Sequence, residues 1–156
     1  MKNYAHLLLT AFLILASCNS KDKTSNTLPE TNENENEYTL EGVWEIESYI
    51  NYREGKADTI WPSDERKQRK MFSKHKVMWS KLRTFDSLDW FGVGDYTLKD
   101  GIFTEVLDYG SKPVNKIIET SNKWSFNAVV TEDSFTQIMV DSLGNYIYAE
   151  NYTKVD

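Results

Sequence analysis

From residue 43 to the C-terminus the chain repeats one pattern, short runs of alternating apolar and polar residues cut by turn residues. Alternation with period two puts successive side chains on opposite faces of an extended strand. In residues 43–50, Trp44, Ile46 and Ile50 fall on one side and Glu45 and Glu47 on the other. Segments 77–85, 90–98, 102–109, 114–121, 124–130, 135–140 and 146–155 read the same way, giving about eight strands. Lys99-Asp100-Gly101 and Asp141-Ser142-Leu143-Gly144-Asn145 are hairpin turn signals, and Gly110-Ser111-Lys112-Pro113 breaks the chain between runs. No helical stretch of ten or more residues separates the runs, which excludes a βαβ sheet and leaves an all-β sandwich or barrel. Residues 64–72 are the helical candidate, with Ser63 as its cap; a loop running into a strand at Met71 fits them equally.

The first 37 residues are different. Lys2 precedes an apolar segment at 7–15, interrupted only by Thr10, and Ala16-Ser17 supply the small residues of a cleavage site. The uncharged stretch is shorter than the roughly 20 residues needed to span a bilayer. Leu15-Ala16-Ser17-Cys18 holds the single cysteine of the chain and resembles a lipobox, the cleavage signal of bacterial lipoproteins. The resemblance implies a signal peptide at 1–17 and a lipid (diacylglyceryl and palmitate-type acyl chains) on Cys18, a firm anchor because two chains hold where one does not. Residues 18–37 then form a polar tether with too little apolar surface to offset the entropy of ordering it. Its Lys21-Asp22-Lys23 run resembles the export signal of surface-exposed Bacteroidota lipoproteins. With Cys18 lipidated, the mature chain has no thiol left for a disulfide. The address so implied is the bacterial outer membrane.

Residues 38–156 are one domain's length and carry all five tryptophans. Their opening, Leu40-Glu41-Gly42-Val43-Trp44, places Gly-x-Trp on the first strand and resembles the lipocalin signature. The ending Glu150-Asn151-Tyr152-Thr153-Lys154-Val155 resembles the last strand of lipocalin-like lipoprotein domains, with Lys154 where arginine is usual. The run 71–79 and Gly94-Asp95-Tyr96-Thr97-Leu98 followed by Thr104-Glu105 resemble a lipocalin-like family of unknown function common in Bacteroidota lipoproteins. The resemblance implies an antiparallel up-and-down barrel. Gly42, Trp44, Tyr152 and Lys154 would close its base, with the basic side chain covering the tryptophan.

Known chemistries find little purchase. His75 is the single histidine after Cys18, and no cysteine lies in the domain, so a multi-histidine or thiolate metal site is excluded. There is no Gly-x-Ser-x-Gly elbow for a hydrolase and no D-x-[DN]-x-[DN]-G calcium loop. The pairs Glu105/Asp108, Asp86/Asp89 and Glu132/Asp133 have the residue type of a glycosidase, but sequence does not place any pair across a cleft. The domain holds fifteen Lys and Arg against nineteen Asp and Glu, a balance that with an exported address excludes nucleic acid. The basic residues concentrate at 53–83, where Arg66, Lys67, Arg69, Lys70, Lys74 and Lys76 are expected to form a positive patch near one barrel mouth, suited to an anionic ligand or to head groups.

A regular strand over 73–79 would turn His75, Val77 and Trp79 inward together. Trp61, Trp79, Trp90, Phe91, Tyr96, Phe103 and Tyr109 then either line a pocket or fill the barrel. The expectation is an anchored barrel without a cofactor or catalytic residues, binding a small apolar, amphipathic or anionic molecule. Its candidate ligand contacts are His75, Trp79, Trp90, Tyr96 and Glu105. The alternative is a filled barrel that docks another envelope protein; an enzyme acting on envelope glycan or lipid is third.

Overall fold

The computed structural model describes residues 38–156. The expected signal peptide, Cys18, the expected tether and the Lys21-Asp22-Lys23 run lie outside the described residues. Nine strands follow in order: β1 (Gly42–Arg53), β2 (Lys56–Ile60), β3 (Arg66–Phe72), β4 (Lys76–Arg83), β5 (Trp90–Lys99), β6 (Ile102–Gly110), β7 (Lys123–Val130), β8 (Ser134–Val140) and β9 (Tyr146–Lys154). One helix, α1 (Lys112–Ile118), sits between β6 and β7. Neighbours pair antiparallel from β3 to β9, and β1 closes the ring against both β3 and β9. Eight strands therefore form an up-and-down barrel, with β2 paired to the outer half of β1 as an extra edge. Closure removes the sheet edges that a β protein must otherwise protect.

Two segments depart from the sequence reading. Residues 64–72 are neither helix nor plain loop: β3 begins at Arg66. Its inward positions are Gln68, Lys70 and Phe72, all buried. Two polar residues on the inner face disguise the period-two signal. Residues 114–121 are not a strand; 112–118 are helical. Pro113 in the first turn and Val114, Ile117 and Ile118 at helical spacing carry that signal, which the apolar run obscured. Val114 is the helix's buried residue.

The two ends of the barrel differ. At the end where β1 starts, aromatic rings fill the interior. Trp44, Phe103 and Phe135 are fully buried, and Phe72 meets Tyr96, Phe103 and Phe135 edge-on at centroid distances of 4.9, 5.8 and 6.0 Å. Such pairs contribute about 0.5–1.5 kcal/mol each beyond area burial. Trp44 Nε1 donates to the Leu40 carbonyl at 2.7 Å, so burying the indole leaves no orphan donor. Lys154 is paired with Trp44 across β1–β9 and holds its ammonium 5.5 Å from the ring centroid. Gly42 has φ +126°, and a Cβ there would lie 2.3 Å from the Asp156 carbonyl oxygen, so only glycine lets the C-terminus close over this base.

Candidate functional site

Above the aromatic plug the inward side chains turn polar. Lys70 is 3% exposed and forms an ion pair with Glu105 at 3.1 Å. It also donates to Gln137 Oε1 at 2.8 Å. The Trp79 indole N–H donates to the other Glu105 oxygen at 3.0 Å. Glu150 accepts from Tyr152 at 2.5 Å, from Gln137 at 2.9 Å and from Lys81 at 3.0 Å. Gln68 links the network outward, donating to the Tyr152 oxygen and accepting from the Tyr49 hydroxyl, both at 2.6 Å. Two cations and two carboxylates thus neutralise one another in the barrel's middle. That is the condition under which buried charge is tolerated.

The network sets the titration of its members. Burial pushes the Glu150 carboxyl up, but Lys81 and Lys70, with the hydrogen bond from Tyr152, outweigh it and hold the carboxyl below its ordinary 4.5. Burial, then the Glu150 charge, pushes the Tyr152, Tyr49 and Tyr148 hydroxyls well above their ordinary 10.0. Both limbs of a stability profile follow. A depressed carboxyl stabilises the fold above its unfolded value and loses that contribution as pH falls below 4.5. A raised tyrosine stabilises below its unfolded value and loses that contribution as pH climbs past 10.0. We expect the Tm to be flat between those limits and to fall on both sides, with Glu150→Gln shallowing the acid limb in thermal melts across pH.

Beyond the polar layer, towards the end that holds α1, the barrel opens into a cavity of about 260 Å³. Its floor is Gln68, Lys70, Trp79, Glu105, Gln137 and Glu150. Leu107, Trp124, Phe126 and Tyr148 form an apolar wall, and α1 adds Val114 and Ile117. Lys81, Arg83 and Trp90 stand at the mouth. An engineered 150 Å³ apolar cavity holds benzene, so this space suits a one- or two-ring body or a short acyl chain. Gly92 faces Trp79 across β4–β5, and a Cβ there would lie 2.7 Å from the indole. The ring lies on bare backbone, which aims its N–H at Glu105. Gly92→Ala should displace Trp79 at a cost of about 1–3 kcal/mol by overpacking, read as a lower denaturation midpoint and altered tryptophan emission.

Of the five candidate ligand contacts, Trp79, Trp90 and Glu105 line this cavity. His75 does not: β3 ends at Phe72 and β4 begins at Lys76, so His75 is exposed in the turn between them. Tyr96 belongs to the plug, 4.9 Å from Phe72. Phe103 joins it there, while Trp61, Phe91 and Tyr109 are exposed. The barrel is accordingly filled at one end and hollow at the other. The expected basic patch also dissolves. Along β3, Lys67 and Arg69 point outward and Lys70 inward, while Lys74 lies in the β3–β4 turn and Lys76 pairs with Asp95 at 2.7 Å. Arg66 alone of that set reaches the mouth region, beside Lys81 and Arg83. Trp124, Phe126, Gln137, Tyr148 and Glu150 were missed as site residues. Trp124 and Phe126 sit two apart on β7, and that alternation was their one signal in the sequence.

Among the described residues, no group of three or more His, Cys, Asp and Glu is placed to hold a metal ion. None of the expected carboxylate pairs faces the cavity. Glu105 and Glu150 do, from β6 and β9, each with its oxygens engaged.

No family model matches this chain, and no curated protein matches it. Two solved structures do. A lipocalin-like protein from Bacteroides uniformis is 20% identical, with a TM-score of 0.51 over 74% of this chain and 98% of that one. An uncharacterized protein from Bacteroides eggerthii is 16% identical, with a TM-score of 0.49 over 75% of this chain and 100% of that one. The first of these likenesses concerns fold alone, and the fold it joins to the strand order and closure described above is a lipocalin-like antiparallel β-barrel.

Proposed function

We propose that this chain is a lipid-anchored protein of the bacterial outer membrane whose barrel holds one small amphipathic molecule and performs no chemistry on it. The observation that carries the reading is the half-hollow interior, an apolar wall above a polar floor at the open end of a barrel sealed at the other. Ligand sites are mostly apolar with a few placed polar groups. Binding without turnover is favoured by the state of the two carboxylates. A glycosidase acid needs a raised pKa and a free proton, whereas Glu150 is held ionised by Lys81 and Lys70. Glu105 is tied to Lys70 and Trp79. The anchor rests on the lipobox resemblance at Cys18, and Cys18→Ala should move the protein from the membrane to the soluble fraction.

Native mass spectrometry of the protein purified from its host tests the binding reading. A co-purifying adduct of one- or two-ring size is expected. A clean mass together with no binding across a panel of small amphiphiles would contradict it.

A second reading, a module that docks another envelope protein, has one observation in its favour. Val43, Met71, Met78, Val93 and Tyr109 are cross-strand partners on the outer face of five successive strands. Met71, Met78 and Tyr109 are 40%, 42% and 56% exposed. Val43 and Val93 in the same row are half-buried, and an apolar row of this kind on an outer face marks interaction surfaces.

A further inference from the structure

We propose that the open rim of the barrel docks on the surface of a lipid bilayer, with Leu88 and Leu143 as its insertion tips, and that the amphiphile enters the cavity from that surface. The proposal rests on the anchored, ligand-holding reading above. One tripeptide recurs at the open end: Asp86-Ser87-Leu88 between β4 and β5, and Asp141-Ser142-Leu143 between β8 and β9. The two loops are built alike. In each, the aspartate Oδ1 accepts the backbone N–H of the leucine, at 3.1 Å in the first and 2.8 Å in the second. Such a turn ties the backbone to the aspartate and leaves the leucine outside, 49% exposed at Leu88 and 85% at Leu143. Neither leucine lines the cavity or packs in the core.

Topology sets the pair across the mouth from one another. Strands β5 to β8 separate the two loops, which is half the circumference of the eight-stranded ring. Midway between them stands α1, whose Ile117 is exposed and also lines the cavity. Three apolar points at quarter intervals define a plane beside the mouth; the fourth connection, Glu54-Gly55, has no apolar tip. The closed end has no such plane: its turns Ser73-Lys74-His75, Asp100-Gly101 and Thr131-Glu132-Asp133 are exposed and polar. Asp86 is paired with Arg83, and Asp141 accepts from Asn145. Lys112 and Lys116 on α1 are offset by Asp89 and Glu119, so apolar insertion rather than net charge carries the contact.

A flat set of apolar tips fits a flat surface, and the length of chain before the domain lets the rim reach one. The domain starts at the closed base, where the Leu40 carbonyl accepts from Trp44. Residues 19–37 separate it from Cys18, and nineteen residues reach at most about 65 Å. The twelve residues of β1 rise only about 40 Å. A barrel anchored through Cys18 can therefore bring its open end to the bilayer that holds it. A few side chains bury less apolar surface than the single acyl chain that by itself binds marginally. The rim thus does not replace the anchor; the anchor makes its contact intramolecular.

The test reconstitutes the anchored protein in phosphatidylcholine vesicles, with a nitrobenzoxadiazole label on one introduced cysteine, Leu143→Cys or, at the closed end, Lys74→Cys. With Cys18 acylated at sulfur, the introduced cysteine is the one free thiol. Iodide in the water should quench the label at 143 about threefold less than the label at 74, because an inserted tip lies in the headgroup region. Adding Leu88→Ser should bring the two labels together. In solution, Leu88→Ser with Leu143→Ser should bind 2-naphthoate, a two-ring amphiphile, as tightly as the wild-type protein does, since neither leucine lines the cavity. Equal quenching at 143 and 74 would overturn the docking and leave the cavity reading standing. Exposure at 143 in lipid vesicles with protection in native outer membranes would assign the rim to a protein partner and overturn the lipid surface. Failure of the wild-type protein to bind small amphiphiles would overturn the ligand reading and the entry route with it, whatever the label reports.

Discussion

Lys70→Met should lower the unfolding free energy by about 3–5 kcal/mol, the cost of stranding a buried charge whose partner is removed. Met replaces the stem of the lysine closely in volume, so packing changes little. What remains is Glu105, 5% exposed, with one hydrogen bond from Trp79 and no ion-pair partner. Adding Glu105→Gln should recover more than half of the loss. The amide keeps an acceptor for the indole but carries no charge. Urea denaturation of the single and double variants reads the difference as a coupling energy. If the two variants were equally unstable, packing rather than charge would be the source of the loss, and the polar layer would not be the paired system described above.

The second large effect separates the two ends of the barrel. Trp44→Ala removes the fully buried indole at the closed base and should cost about 3–5 kcal/mol, as large core truncations do. Ligand affinity of the remaining folded protein should not change, because Trp44 lies among the plug residues and not in the cavity lining. Trp90→Ala should do the reverse. Trp90 is half-buried at the mouth, packed on the edge of the core and in contact with Asp86 and Arg83. Its loss should cost less stability than that of the fully buried Trp44, about 1–3 kcal/mol for a partly buried apolar side chain. Affinity should fall about tenfold or more, as it does when an aromatic anchor is truncated. Midpoints and titrations on both variants form the crossed comparison, and a loss of affinity in Trp44→Ala would show that the ends are not independent.

The barrel was legible in the sequence where strands obey simple alternation with an apolar inner face. β1 does, through Trp44 and Ile46, and β6 and β9 keep enough of it, with Phe103 and Leu107 around Glu105 and Tyr148 and Tyr152 around Glu150, while Lys99-Asp100-Gly101 marks the turn between β5 and β6. Legibility failed where the interior itself is polar. β3 hides its strand period because Gln68 and Lys70 face inward, and those residues are the floor of the site. The same substitution of charge for hydrocarbon that makes the site removes the signal by which its strand is recognised. α1 failed for the opposite reason, since an apolar run with β-branched residues reads as strand until its spacing of three and four is weighed against Pro113. His75 was misplaced by a strand start only three residues later than expected, which moved it from a wall into a turn. Gln137 and Glu150 face each other across the β8–β9 hairpin, but their meeting with Lys70 of β3 has no local signature; it exists only once the barrel closes.

The central claim is that the hollow half of the barrel, and not the plug or the outer face, receives the ligand. The five tryptophans are natural reporters of the difference. Trp79, Trp90 and Trp124 line the cavity, Trp44 lies in the base, and Trp61 is 64% exposed outside it. Two-dimensional ¹H–¹⁵N spectra of the labelled protein, titrated with 2-naphthoate, resolve their five indole N–H signals. Shifts confined to Trp79, Trp90 and Trp124, with Trp44 and Trp61 unmoved, are the predicted result. Shifts at Trp61 alone, or no shift at any indole at millimolar ligand, would contradict it.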